Sequence, residues 1–161
     1  MEISNMIARQ ARDVISGGNW TSVNLRDTLS GITLEQARHQ IPGFNSIATL
    51  VYHMNYYMKV VHVVMEGGAL DAKDKLSFEL PPLISEEDWE KLLDDVWKDA
   101  ENFAGAIEKI PQEQLATDFV DSKYGSWYRN LHGIIEHTHY HLGQIVFLKK
   151  MISQSPAAIK K

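Results

Sequence analysis

Three of the seven histidines in the chain stand at alternate positions in a segment that could bind a metal ion. The segment reads GIIEHTHYHLGQI, from Gly133 to Ile145, and contains His137, His139 and His141. On a β-strand alternate residues share one face, which would place all three imidazoles in a row. On an α-helix residues four apart lie together, so His137 and His141 would pair and His139 would point elsewhere.

The residues around these histidines favour a long helix. Apolar side chains recur at three- and four-residue spacing: Leu131, Ile134, Ile135, Leu142, Ile145, Leu148 and Ile152. With Ile134 set at zero on a helical wheel, His141 falls at about −20° and His137 at about −60°, beside the apolar stripe. His139 and His132 fall at about 140° and 160°, on the flank away from it. The spacing therefore predicts that His137 and His141 face inwards as an i, i+4 pair.

A third histidine lies at the edge of a second helical stripe, formed by Ile47, Leu50, Met54, Tyr57, Val61 and Val64. With Leu50 at zero, His53 falls at about −60° and His62 at about 120°, off the stripe. Two imidazoles at i, i+4 and a third from a facing helix can bind one divalent metal ion and leave a position open for water or substrate. The competing interpretation is that the three are ordinary core histidines. Spacing alone does not show that the two helices face each other.

The elements that would position these side chains are helices, because strand patterns are nearly absent. Periodicity predicts four long helices, at about 4–16, 45–67, 85–110 and 126–153, and a short extra helix that starts at Asn19 and runs through Leu29. The connection over 68–84 is long enough to cross a bundle from end to end. The sequence therefore predicts an all-α four-helix bundle, as one domain over residues 1–153, followed by a flexible C-terminal tail over 154–161.

Composition narrows the classes of function. The chain has 161 residues, no cysteine and a net charge of −5, so it lacks the basic surface of a nucleic-acid-binding protein and any thiol of its own. The most apolar region, 47–65, is interrupted by His53, Asn55, Lys59 and His62, which makes it a poor membrane span. The N-terminal segment MEISNMIARQ lacks the apolar run of a secretory signal. We expect a cytoplasmic protein without nucleic-acid or membrane partners.

The sequence resembles the DinB-like, YfiT-like family of metal-binding four-helix bundles. The run from His137 to Ile145 matches the H-x-x-x-H-x-G-Q pattern of that family, and the segment from Asn45 to His53 matches the part that carries its first histidine. The family also has similar residues at three other places in this chain: Trp20, the region 29–42 and Tyr124-Gly125-Ser126. Many relatives carry an acidic residue directly after the first histidine of the pair, where this chain has Thr138.

The resemblance implies an up-down-down-up helix order with a long crossover between the second and third helices. It also implies that His53, His137 and His141 bind a divalent metal, nickel or zinc. Characterised relatives include enzymes that transfer low-molecular-weight thiols to electrophiles and a thiol-dependent isomerase, so the resemblance implies a small-molecule thiol as a co-substrate. The alternatives are a metal-dependent hydrolase and a non-catalytic metal-binding bundle with a role in stress responses.

Other residues near the predicted site leave the remaining roles open. No general base is assigned: Asp94, Asp95 and Asp99 could support the metal ligands, but a helical face of carboxylates is commonly just solvated. Tyr56 and Tyr57 could reach a substrate or simply pack. Tyr140, Gln144, Phe147 and Met151 form a second, semi-apolar face on the last helix, which predicts either a homodimer interface or a surface covered by the extra helix.

Overall fold

A computed structural model describes residues 2–154 of the chain. Over this range the protein is all helical, as predicted, and its only β-type pairing is an isolated antiparallel bridge between Asp118 and Ser126. The predicted flexible tail, 154–161, lies outside the described residues except for Gln154. No helix in the described range has the length and apolarity that crossing a lipid bilayer requires.

Seven α-helices follow one another along the described chain. They are α1 (Ile3–Ser16), α2 (Leu25–Leu29), α3 (Leu34–Arg38), α4 (Ile47–Met65), α5 (Asp74–Ser77), α6 (Glu86–Ile107) and α7 (Trp127–Ser153). Two 3-10 turns, 112–116 and 122–124, lie between α6 and α7. The four long helices, α1, α4, α6 and α7, correspond closely to the four predicted from periodicity.

Serine side chains cap the N-termini of three of the four long helices. The hydroxyls of Ser46, Ser85 and Ser126 accept hydrogen bonds from backbone amides in the first turns of α4, α6 and α7. At α6 the Asp88 carboxylate reaches back to the Ser85 amide, which completes a capping box. Each cap satisfies amide groups that would otherwise lack a partner at the helix end. Ser46 and Ser126 thus mark the starts of the two helices, α4 and α7, that carry the three inward-facing histidines.

The short helices differ from the prediction of one extra helix beginning at Asn19. Residues 19–22 form a turn instead, in which the Asn19 side chain accepts from the Thr21 amide at 3.0 Å and Ser22 has a φ of 57°. A helix cannot pass through that left-handed residue, so α2 starts only after Asn24, whose side chain caps it. Two further short helices, α3, which begins at a Thr33–Gln36 capping box, and α5, were not predicted from the sequence.

The long helices pack around one apolar core. Helix α1 lies against α6 and α7, and α4 lies against the same two helices. The largest fully buried side chains include Trp89, Phe103 and Leu131, and the Trp89 indole donates a hydrogen bond to the Ile32 carbonyl at 2.8 Å. This packing holds α4 and α7 side by side, which is the condition that spacing alone left open.

The middle of the connection from α4 to α6 lies against α4. The Tyr56 hydroxyl accepts a hydrogen bond from the Lys73 amide at 2.9 Å, and the Tyr57 hydroxyl donates to the Asp74 carboxylate at 2.8 Å. Helix α5 therefore sits on the same stretch of α4 that carries His53.

Candidate metal centre

Helices α4 and α7 bring three imidazoles together. His53 comes from α4, and His137 and His141 come from α7, one turn apart. The Nε2 atom of His137 lies 3.0 Å from Nε2 of His53 and 3.0 Å from Nε2 of His141. One ligand nitrogen from each residue lies within 4.8 Å of the other two. The structure thus brings together the three histidines that the sequence predicts, a set we call the triad.

The other histidines near these helices lie elsewhere. Nδ1 of His139 is 3.1 Å from the Ile135 carbonyl of its own helix, and His132 lies 3.4 Å from the Glu136 carboxylate. His62 lies 3.7 Å from Glu66 at the end of α4. Their positions agree with the helical wheel, which puts them off the inward stripes. Only 4% of the His53 surface and 7% of the His141 surface is exposed.

Hydrogen bonds to the outer nitrogens settle how two of the rings are protonated. Nδ1 of His53 lies 2.8 Å from the Ser77 hydroxyl, which donates its only proton to the Asp74 carbonyl at 2.6 Å. Ser77 must therefore accept, and His53 carries its proton on Nδ1. Nδ1 of His141 lies 2.7 Å from the Gln144 side-chain carbonyl, which can only accept. Both rings therefore turn an unprotonated Nε2 lone pair towards His137.

The arrangement of the three rings suits a bound divalent cation better than it suits hydrogen bonds among the rings. Two lone pairs, from His53 and His141, face the single Nε2 of His137, which carries at most one proton, so at least one lone pair lacks a donor. The buried Nδ1 of His137 has no hydrogen-bond partner, and a cation on Nε2 would leave it so. Nitrogens bonded to one metal at about 2.1 Å lie about 3.0–3.4 Å apart when they occupy neighbouring positions, which agrees with the observed separations. In the described part of the chain, the group able to hold an ion consists of these three residues, so positions remain for water or substrate.

The surroundings keep the triad neutral. Burial, with a smaller effect from the neighbouring His141 ring, lowers the pKa of His53 and of His137 to about 4. Burial also lowers the pKa of His141, against the hydrogen bond with Gln144, which raises it. Neutral imidazole is the form that binds a metal, so the site does not have to lose protons to accept one at pH 7.

Aromatic rings surround the triad. Phe78 stacks on His53 with 4.1 Å between the ring centroids, and Tyr57 meets His53 and His137 edge-on at 5.2 Å and 5.3 Å. Tyr140 meets His141 at 4.9 Å, and 65% of its surface is exposed. The triad therefore lies among rings, some of which are open to solvent and could contact a bound molecule.

Some of the residues that hydrogen-bond to the triad differ from the acidic residues suggested by the sequence. The Asp99 carboxylate accepts a hydrogen bond from the buried Asn55 side chain at 2.8 Å and lies 3.8 Å from the Lys59 ammonium, so its polar contacts are between α4 and α6. The outer nitrogens of His141 and His53 instead contact Gln144 and Ser77, respectively. Gln144 stands three residues after His141, a spacing that a helical reading brings together, whereas nothing local in the sequence connects Ser77 with His53.

The second face of α7 is largely exposed within the described chain. Tyr140 is 65% and Phe147 55% exposed, while Gln144 is partly buried through its contact with His141. Helix α2 contacts α7, and Lys149 donates to the Thr28 carbonyl there. The homodimer stays a prediction.

Comparison with known proteins identifies one family. The family model of the DinB superfamily matches residues 19–145, a range that contains all three histidines of the triad. Comparisons with curated proteins and with solved structures gave no match.

Proposed function

The chain belongs to the DinB superfamily, and from that premise we propose that it is a divalent-metal-dependent enzyme that transfers a small-molecule thiol to an electrophile. The observation that carries the proposal is the convergence of three neutral imidazoles. The Nε2 atom of His137 lies 3.0 Å from that of His53 and 3.0 Å from that of His141. We propose His53, His137 and His141 as the metal ligands and nickel or zinc as the metal, because imidazole suits both ions.

A cation held by the triad would lower the pKa of a thiol, or of water, at an open position and so supply a nucleophile at neutral pH. The sulfur must come from outside, since the chain contains no cysteine. In the reaction the S–H proton passes to water, a C–S bond forms with the electrophilic carbon, and the leaving group departs with its electron pair. Phe78 and Tyr140 offer apolar surface to the electrophile beside His53 and His141.

We also propose the up-down-down-up order of the four long helices. At the start of α1, the Ser4 hydroxyl donates to the Ile110 carbonyl just beyond the end of α6, which supports an antiparallel pair. Ser46 and Thr49, at the start of α4, line one groove with residues 81–84, just before α6, which supports a parallel pair joined by the crossover. In such an order α4 and α7 are antiparallel, and the triad lies part-way along both.

Elemental analysis of purified protein tests the metal site. The wild type should carry about one divalent ion per chain, and the His137→Ala/His141→Ala double variant should carry none. The matched control is His132→Ala/His139→Ala, which removes two histidines from the same helix outside the triad. Equal metal content in the wild type and the first double variant would refute the site, provided that circular dichroism shows both folded.

A conjugation assay tests the reaction. Metal-loaded protein is mixed with a generic electrophile and, in turn, with several low-molecular-weight thiols, and the rate is compared with that of the metal-free protein. A thiol-dependent rate that the His137→Ala/His141→Ala variant loses would support the proposal. Ester hydrolysis without thiol would support the hydrolase alternative, and metal binding without either rate would favour a non-catalytic role.

A further inference from the structure

Ser77 lies in the crossover and contacts the triad from outside. It is the last residue of α5, its side chain is fully buried, and its hydroxyl lies 2.8 Å from Nδ1 of His53, 24 residues earlier in the chain. Because the hydroxyl gives its one proton to the Asp74 carbonyl at 2.6 Å, it can only accept the proton of Nδ1.

We propose that Ser77 is a positioning residue of the metal centre: it holds the proton of His53 on Nδ1 and so keeps the Nε2 lone pair directed at the triad. The nitrogen of a metal-binding imidazole that carries the proton is determined by the hydrogen bond of the other nitrogen. Ser77 acts through His53 rather than on substrate. The inference rests on the proposed metal-dependent function, but the tautomer of His53 exists without metal.

Two hydrogen bonds that do not involve the triad help to hold Ser77 in position. The Tyr57 hydroxyl holds the Asp74 carboxylate at 2.8 Å, and the Tyr56 hydroxyl holds the Lys73 amide at 2.9 Å. Directly after Ser77, Phe78 stacks on the His53 ring. The crossover therefore fixes both the orientation of the ring, through Phe78, and its protonated nitrogen, through Ser77, before any ion binds.

A matched pair of serine variants tests the inference. Ser77→Ala removes the acceptor, and Ser4→Ala removes another fully buried hydroxyl that also donates to a backbone carbonyl at 2.6 Å, far from the triad. Ser77→Thr keeps the hydroxyl as a rescue variant. Two quantities are measured: the ring nitrogen chemical shifts of His53 in metal-free protein labelled with ¹⁵N-histidine, assigned with His53→Gln, and the zinc affinity in competition with a chelator.

The wild type and Ser4→Ala should show His53 protonated on Nδ1, and Ser77→Ala should shift it towards protonation on Nε2. Zinc affinity should fall about 10- to 100-fold in Ser77→Ala and not in Ser4→Ala, and Ser77→Thr should restore both quantities. An unchanged tautomer in Ser77→Ala would overturn the inference, even if its zinc affinity fell. A wild type that binds no zinc would refute the proposed function, and the nitrogen shifts would still decide the role of Ser77.

Discussion

Lowering the pH from 7 to 5 should reduce the free energy of unfolding of the metal-free protein. In the folded state burial lowers the pKa of His53 and of His137 to about 4, against 6.5 for an ordinary histidine. Between those two values the unfolded chain binds more protons than the folded one, so stability falls as the pH falls. Above pH 6.5 both states are neutral, and the contribution is constant.

The expected loss is large for a protein of this size. For His53 alone, the two pKa values give about 2 kcal/mol between pH 7 and pH 5. His137 is shifted as far, but its side chain is partly exposed and its ring adjoins His53, so the two losses do not add in full. The pair should therefore contribute about 2–4 kcal/mol, out of a total stability that is typically about 5–15 kcal/mol.

Urea denaturation followed by circular dichroism, after removal of metal with a chelator, measures this loss. With a slope of about 1–3 kcal/mol per molar urea, the midpoint should fall by about 1 M or more between pH 7 and pH 5. His53→Gln should flatten the dependence, whereas the exposed control His39→Gln should keep it. A midpoint that is equal or higher at pH 5 in the wild type would show that the triad is not buried as neutral imidazole.

Three further predictions follow from the packing and the site. Trp89→Phe should lower the free energy of unfolding, measured by urea denaturation, by about 1–3 kcal/mol, because the buried Ile32 carbonyl loses its donor. The control Trp20→Phe, at a side chain that is 98% exposed, should change it by less than about 0.5 kcal/mol. Equal effects of the two substitutions would contradict the packing. Arg12→Ala should lower the free energy of unfolding by about 1 kcal/mol or less, since the bonds of Arg12 to Glu101 are near the surface. A loss of stability that is no smaller in high salt would argue against an ionic origin. Zinc at about one hundred times its dissociation constant should stabilise the folded protein by about 2.7 kcal/mol; calorimetry that shows no shift in the unfolding temperature would rule out binding to the folded state.

The inward-facing histidine pair on α7 could be predicted because it depends only on the spacing of residues within one helix. Helical spacing places His137 and His141 on the apolar side, and serine caps mark where α4, α6 and α7 begin. The third histidine needed a second helix, whose stripe was also readable around Leu50. Whether the two stripes face each other depends on tertiary packing, which periodicity does not determine. The resemblance to a family was what indicated that they do.

The structure within the connection from α4 to α6 could not be predicted in the same way. Its helix α5 has only four residues and no side-chain cap, so no periodic pattern indicates it. The contacts of Ser77 with His53 and of Asp74 with Tyr57 join residues 24 and 17 positions apart. The misplaced start of the short helix at Asn19 has a local cause instead: the Asn19 side chain serves a turn rather than a helix cap.

The connection from α4 to α6 also has two parts with different freedom to change length. Asp71 and Ala72 are exposed and lie between Leu70, which packs against the core, and the first bond to Tyr56, so extra residues inserted between them would loop outwards without moving α5. One residue added between Lys73 and Phe78 would instead separate Ser77 from His53 or Asp74 from Tyr57. Peptide tags and linkers therefore belong in the first part, and the second part has the narrow tolerance of a binding site although it belongs to a loop.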